Sequence, residues 1–131
     1  MTRSLKMLIH WSVPLVAIGT LARPDQTVWP ILLAATLVVW IAITGLAGLN
    51  RPGPALKGWL RPLHRYSHMG LLALSAAATG VILFGDAQFG RRVLLAVLGF
   101  GALHGIFNLW RHSVLGDGAL RNMLPKAILG E

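Results

Sequence analysis

The chain is expected to be an all-α membrane protein, an antiparallel bundle of four transmembrane helices with both termini cytoplasmic. Three observations lead there. Apolar residues make up 55% of the 131 residues and charged residues only 12%, about half the roughly 25% usual in soluble domains. The apolar residues gather into four runs of near-bilayer length. The basic residues gather in alternate links between those runs. The length allows one domain, residues 1–131, and a soluble fold of this size could not bury so much apolar surface.

The first span is expected over about residues 4–22. Its apolar part begins at Met7, with Lys6 reaching back to the interface. Pro14 falls within it and should kink it, because proline removes one i→i−4 hydrogen bond. Arg3 and Lys6 before an apolar run resemble a signal peptide. The run ends Gly-Thr-Leu-Ala-Arg-Pro without a small-residue cleavage pattern, however, and His10, Trp11 and Pro14 sit inside it, so a membrane helix is expected. The second span, about 27–49, has no charge, roughly the 20 residues a bilayer asks for, and Trp29 as an interface anchor. The third is expected over 62–85 and the fourth over 92–112, followed by a cytoplasmic tail, 113–131. Pro30 and Pro62 fall in first turns, where a missing N–H costs little. Short links at Arg23-Pro-Asp-Gln and Gly85-Asp-Ala-Gln-Phe-Gly favour antiparallel neighbours. The longer Pro/Gly-rich link at residues 50–61 is a turn region suited to the membrane surface.

Orientation follows from the charges. Arg3, Lys6, Arg51, Lys57, Arg61, Arg65, Arg111, Arg121 and Lys126 share one side; Arg23, Arg91 and Arg92 share the other. Nine basic residues against three place the first side in the cytoplasm, where lysine and arginine accumulate. The same rule explains the net charge of +8 without nucleic acid, since no polar segment carries a basic stripe with interleaved aromatics. There is no cysteine, which excludes disulfides and thiolate-ligated metals. The four acids, Asp25, Asp86, Asp117 and Glu131, all lie outside the spans. A channel or transporter acid, or a carboxylate to partner a buried histidine in hydrolysis, is therefore not expected.

The five histidines are the residues able to carry redox or metal chemistry in the membrane. With the orientation above, at about 1.5 Å per helical residue, all fall in the cytoplasmic leaflet. His10, His68 and His104 lie at similar depth, as two imidazoles facing across a planar macrocycle must. Ligation of a haem b iron would also satisfy ring nitrogens that hydrocarbon cannot solvate. His10 and His104 are the leading candidates; interhelical hydrogen bonds are their alternative. His68 is a candidate ligand, a donor to the haem edge, or part of a quinone pocket with Ser75 and Arg65. His64 and His112 flank basic residues and are expected at the interface. Gly101 and Gly105 around His104, and the small residues from Ser75 to Gly80, allow a flat ligand to approach, though they serve helix packing equally well. Arg3, Lys6, Arg65 and Arg111 sit where haem propionates would emerge, and equally where the charge rule puts them.

These residues resemble the bacterial cytochrome b561 family, related to the cytochrome b subunits of nickel-iron hydrogenases. Leu8-Ile9-His10-Trp11 is similar to the family's first-helix signature. Leu103-His104, Trp110-Arg111-His112 and Asp117-Gly118-Ala119-Leu120-Arg121-Asn122-Met123-Leu124-Pro125 are similar to its closing pattern, of which the Asp–Leu–Arg–Met–Leu–Pro string is the most specific part. Ser67-His68 followed by Gly80 resembles its third helix. The resemblance covers all four spans. It implies that His10 and His104 ligate one haem b on the cytoplasmic side. The family's second haem takes a histidine on the second helix and one about four turns before the position of His104. Here the second span has no histidine and the fourth begins near Phe89-Gly90-Arg91-Arg92, so one haem is expected.

Three functions follow as expectations. The first is a b-type cytochrome of the bacterial inner membrane that passes electrons between its haem and the quinone pool, with ubiquinone a candidate, or a partner redox protein. The second is a small membrane-anchor subunit of a dehydrogenase or of a larger respiratory or photosynthetic complex. The third is a scaffold that keeps the fold without haem. Membrane lipid is a partner in all three.

Overall fold

The computed structural model describes residues 3–47, 56–125 and 128. Among these residues the regular structure is helical: α1 (Arg3–Ala22), α2 (Val28–Ala47), α3 (Leu60–Phe84), α4 (Ala87–Val114) and a short 3-10 helix, Ala119–Asn122. Residues 48–49 of the expected second span, Arg51 and Lys126 lie outside the described residues.

Each helix packs against the next in sequence, and α4 also packs against α1, which closes a ring. The contacts run antiparallel. His64 meets Arg111, Ser67 meets His104, and Ile82 faces Gly90, so the position on α4 falls as that on α3 rises. Between α1 and α2, the rings of His10 and Trp40 lie 5.8 Å apart.

Three boundaries differ from expectation by two residues or more: the starts of α3 and α4, and the end of α4 at Val114. α4 begins at Ala87, not near residue 92, because Asp86 caps it: extended at φ −78°, ψ 99°, its carboxylate accepts from the backbone N–H of Gln88 (2.9 Å) and Phe89 (3.0 Å). These are donors that a helix start otherwise leaves unpaired. Gly90, Arg91 and Arg92 are therefore helical. Gly90 sits at the closest approach of α3, where an added Cβ would lie 2.7 Å from Ile82 Cγ1 and 2.8 Å from the Ile82 backbone nitrogen. α3 begins at Leu60, two residues early, with Pro62 still in its first turn. α1 runs through Pro14 to Ala22 as one helix.

The core is small. Ala17, Leu33, Leu37, Ala78, Ile82 and Leu94 form one buried cluster, while Phe84, Leu8, Val38, Leu95 and Ile106 face outward. Buried hydroxyls bond within their own helices: Thr20 Oγ1 donates to Val16 O, Ser75 Oγ to Leu71 O, and Thr79 Oγ1 to Ser75 O. Polar groups inside and large apolar side chains outside reverse the arrangement of a soluble bundle. Ser4–Ala22, Leu60–Phe84 and Ala87–Val114 are long and apolar enough to cross a membrane; α2 adds a shorter apolar stretch, Val28–Thr44. Among the described residues the protein is all-helical, with three helices long and apolar enough to span a bilayer.

The segment after α4 is not a free tail. Gly116 and Gly118 adopt positive φ (63° and 69°), a conformation that glycine reaches without steric cost, and the chain reverses there. The 3-10 helix then packs on α4 and α1, and Trp11 Nε1 donates to Met123 O at 2.7 Å. The starts of α1 and α3 and the end of α4 therefore share one end of the bundle.

Candidate functional site

A polar cluster occupies that shared end, built by α3, α4 and the returning segment. His64 and His68 stand one turn apart on α3, ring centroids 4.7 Å apart; His68 meets His104 of α4 edge to face at 4.2 Å, and His104 lies nearly parallel to His64 at 6.4 Å. Arg111, two turns below His104, is buried with Asp117: Nη2 to Oδ2 is 2.6 Å, and Nε donates to the same oxygen at 2.8 Å. Asp117 Oδ1 accepts from Ala119 N at 2.9 Å, which holds the carboxylate inside the turn.

Arg111 fixes the direction of the bonds through His64, Asn108 and His104, because guanidinium only donates. Its Nη1 donates to His64 Nδ1 (3.0 Å) and to Asn108 Oδ1 (3.2 Å). His64 therefore carries its proton on Nε2. With its oxygen toward Arg111, Asn108 turns its amide nitrogen to His104, donating to the backbone O (3.0 Å) and to ring Nε2 (2.7 Å). A ring nitrogen that accepts is unprotonated, so His104 carries its proton on Nδ1 and donates it to Ser67 Oγ at 3.2 Å. Ser67 passes its own proton to His64 O at 3.0 Å. His68 Nδ1 faces the same carbonyl at 2.9 Å and must donate, which leaves the lone pair on Nε2.

The residues singled out in the sequence are therefore only partly brought together. His104 and His68 are in contact. His10, on α1, packs against Trp40 and Trp11, and neither of its ring nitrogens bonds to a described residue. Ser75 is buried in mid-α3, bonded within its own helix. Arg65 is on the exposed face of α3. Arg111 is enclosed by Asp117, His64, Asn108 and the Phe107 ring, 5.9 Å away, because a buried guanidinium must be paired.

One expectation is corrected: His64 is buried in the cluster, not solvated at the interface, since Arg111 reaches it from α4. Asp117, outside any span, pairs with Arg111 and not with a histidine. His112 is half-buried; its Nδ1 is enclosed without a hydrogen-bond partner among the described residues.

Sequence reading missed Ser67 and Asn108 as members of the site. Asn108 carried a usable signal: an amide one turn after His104, on the same helix face.

Beside the cluster, a cavity of about 380 Å³ opens between α3 and α4, lined by Leu63, Ser67, Gly70, Leu71, Leu74, Phe100, Leu103, His104 and Phe107. Its size lies within the roughly 300–1,000 Å³ of small-molecule sites, and its lining is almost wholly apolar. Among the described residues no group of three His, Asp or Glu side chains is placed to hold a metal ion. Comparison of the chain with protein-family models, curated proteins and solved structures finds no match.

Proposed function

We propose that this chain is a b-type cytochrome of the bacterial inner membrane, both termini cytoplasmic, which carries electrons between one haem and the quinone pool or a partner redox protein. The observation that carries the reading is the set of imidazoles held at one end of an otherwise apolar bundle. Fixed hydrogen bonds leave His68 Nε2 with a free lone pair, and His10 has no hydrogen-bonded partner among the described residues. Such nitrogens are costly in hydrocarbon unless something binds them. In residue type the donor set fits a haem iron, which accepts a neutral imidazole on each side. Outer bonds of the kind made by His68 Nδ1 and His104 Nδ1 orient ligating rings.

A bound haem supplies reversible one-electron storage; the chain supplies the rest. The apolar outer faces of α1, α3 and α4 hold the site in lipid and exclude water. Arg111, neutralised by Asp117, adds a fixed dipole array beside the cluster. The cavity next to His104 gives a quinone ring or isoprenoid chain an almost wholly apolar wall.

The experiment is purification in mild detergent, followed by a reduced-minus-oxidised spectrum and a haem-to-protein ratio. Sharp b-type bands at one haem per chain support the reading; no haem after expression with ample haem supply sinks it. A second reading has its own observation. Both His104 ring nitrogens are satisfied internally, as in a self-contained polar core, which suits a haem-free anchor or scaffold subunit of a respiratory or photosynthetic complex. Co-purification of a larger redox assembly without haem in this chain favours it.

A further inference from the structure

We infer that the end of the bundle opposite the histidine cluster carries a binding site for a phosphate group, formed by Arg23 of the α1–α2 link and Arg91 of α4, and that its occupant is a phospholipid headgroup. The inference rests on the membrane placement proposed above and on nothing that concerns haem.

A second cavity, of about 150 Å³, lies where the α1–α2 link meets the turn between α3 and α4. Its lining is divided. Arg23, Gln26, Thr27 and Arg91 supply polar groups, and Ile82 and Leu83 near the end of α3 supply an apolar side. The polar groups are donors in want of an acceptor. Gln26 turns its amide oxygen to Trp29 Nε1 at 3.0 Å, and an indole N–H only donates, so the Gln26 amide nitrogen faces elsewhere. The Thr27 hydroxyl and the Arg23 guanidinium bond to no described residue. Arg91 reaches only the carbonyl of Pro24, at 3.5 Å, beyond the roughly 2.7–3.2 Å of a good N–H···O bond. Neither nearby acid answers the two arginines. Asp86 is taken up by the backbone N–H groups of Gln88 and Phe89, and Asp25 is exposed and forms no ion pair with either.

Two guanidinium groups and two neutral donors around one space suit an anion that accepts through several oxygens, and the planar fork of arginine matches phosphate. The level of the cavity points to a lipid as the source. α1 ends at Ala22, α3 ends at Phe84 and α4 starts at Ala87, so in a bilayer crossed by these helices the cavity sits among the headgroups, with its apolar side toward the acyl region. Basic residues are scarce at this end, three against nine, as the charge rule requires. Two of the three nevertheless line this one cavity.

The test follows thermal unfolding of the full-length protein in mild detergent and phosphate-free buffer. It is titrated with phosphatidylglycerol, with diacylglycerol of the same chains, and with inorganic phosphate. Phosphatidylglycerol should raise the midpoint saturably, at one lipid per chain, and diacylglycerol should not. Arg23→Gln and Arg91→Gln should each weaken that binding by about tenfold or more, the scale of a lost charge-assisted bond. Arg92→Gln removes the same charge at the same end from an exposed position outside the cavity and should leave binding unchanged. Native mass spectrometry of the retained lipid makes the same comparison for any variant whose own unfolding is altered. An equal response to diacylglycerol, or equal weakening by Arg92→Gln, overturns the site, since acyl chains or net charge would then suffice. A response to inorganic phosphate that needs both arginines, with none to phosphatidylglycerol, overturns the lipid as occupant and assigns free phosphate. The haem-to-protein ratio reads the cytochrome proposal separately: a chain that takes up no haem yet binds phosphatidylglycerol through Arg23 and Arg91 keeps this site.

Discussion

The Arg111 guanidinium and the Asp117 carboxylate meet at 2.6 Å inside the protein, their side chains 5% and 0% exposed, although Asp117 lies beyond the end of α4. The proton positions on His64 and His104 follow from this pair. Asp117 neutralises Arg111, Arg111 donates to His64 and Asn108, and Asn108 donates to His104.

Removing one partner leaves the other buried and unpaired, which costs about 3–5 kcal/mol. Asp117→Ala should therefore lower the thermal midpoint in detergent sharply. The double variant Asp117→Ala with Arg111→Met should recover much of the loss, because a buried pair replaced by apolar groups is often near neutral. A double variant no more stable than the single one would show that the pair contributes more than its own desolvation.

The returning segment is held on its other side by Trp11 Nε1 donating to Met123 O. Trp11→Phe keeps the ring and deletes the donor, at a cost of about 1 kcal/mol. The expected readout is faster proteolytic cleavage after Asp117 with the helices intact. Unchanged cleavage would show that packing alone holds the segment.

Glycine substitutions should separate packing from open surface. At Gly90 a Cβ would press on the Ile82 backbone nitrogen at 2.8 Å, and backbone cannot swing away. Gly90→Ala should destabilise by about 1–3 kcal/mol, the usual range for overpacking. At Gly105 a Cβ meets nothing within 4 Å, so Gly105→Ala should stabilise by up to about 1 kcal/mol through helix propensity. Thermal unfolding of the two variants side by side checks both signs.

Much of this was readable from the chain. The apolar runs located all four helices, because a helix of bilayer length needs little beyond apolar composition and length. The shared end for His64, His68 and His104 followed from antiparallel counting along short links. What was not readable depended on chain reversal. Arg111 and Asp117 look like the polar end of a span and its tail until Gly116 and Gly118 turn the chain back. His64, between Arg61 and Arg65, looks interfacial until Arg111 arrives from another helix. The start of α4 was legible in principle, since Asp86 ahead of Ala-Gln-Phe is an N-cap signal.

The cavity beside His104 supplies the last prediction. Gly70 lines it, and a Cβ there meets nothing within 4 Å, so a larger side chain has room to enter without disturbing helix contacts. Gly70→Leu should occupy part of the roughly 380 Å³ while leaving Ser67, His68 and the Arg111 network in place. A short-chain ubiquinone analogue, titrated against the reduced protein, should then bind at least about tenfold more weakly, equivalent to about 1.4 kcal/mol, with the haem spectrum retained. Full quinone affinity in Gly70→Leu would remove this cavity as the quinone site and leave the histidine end of α1 as the place to look. Loss of haem along with quinone would mean instead that the cavity wall supports the ligand ring, since Ser67 both lines it and bonds His104.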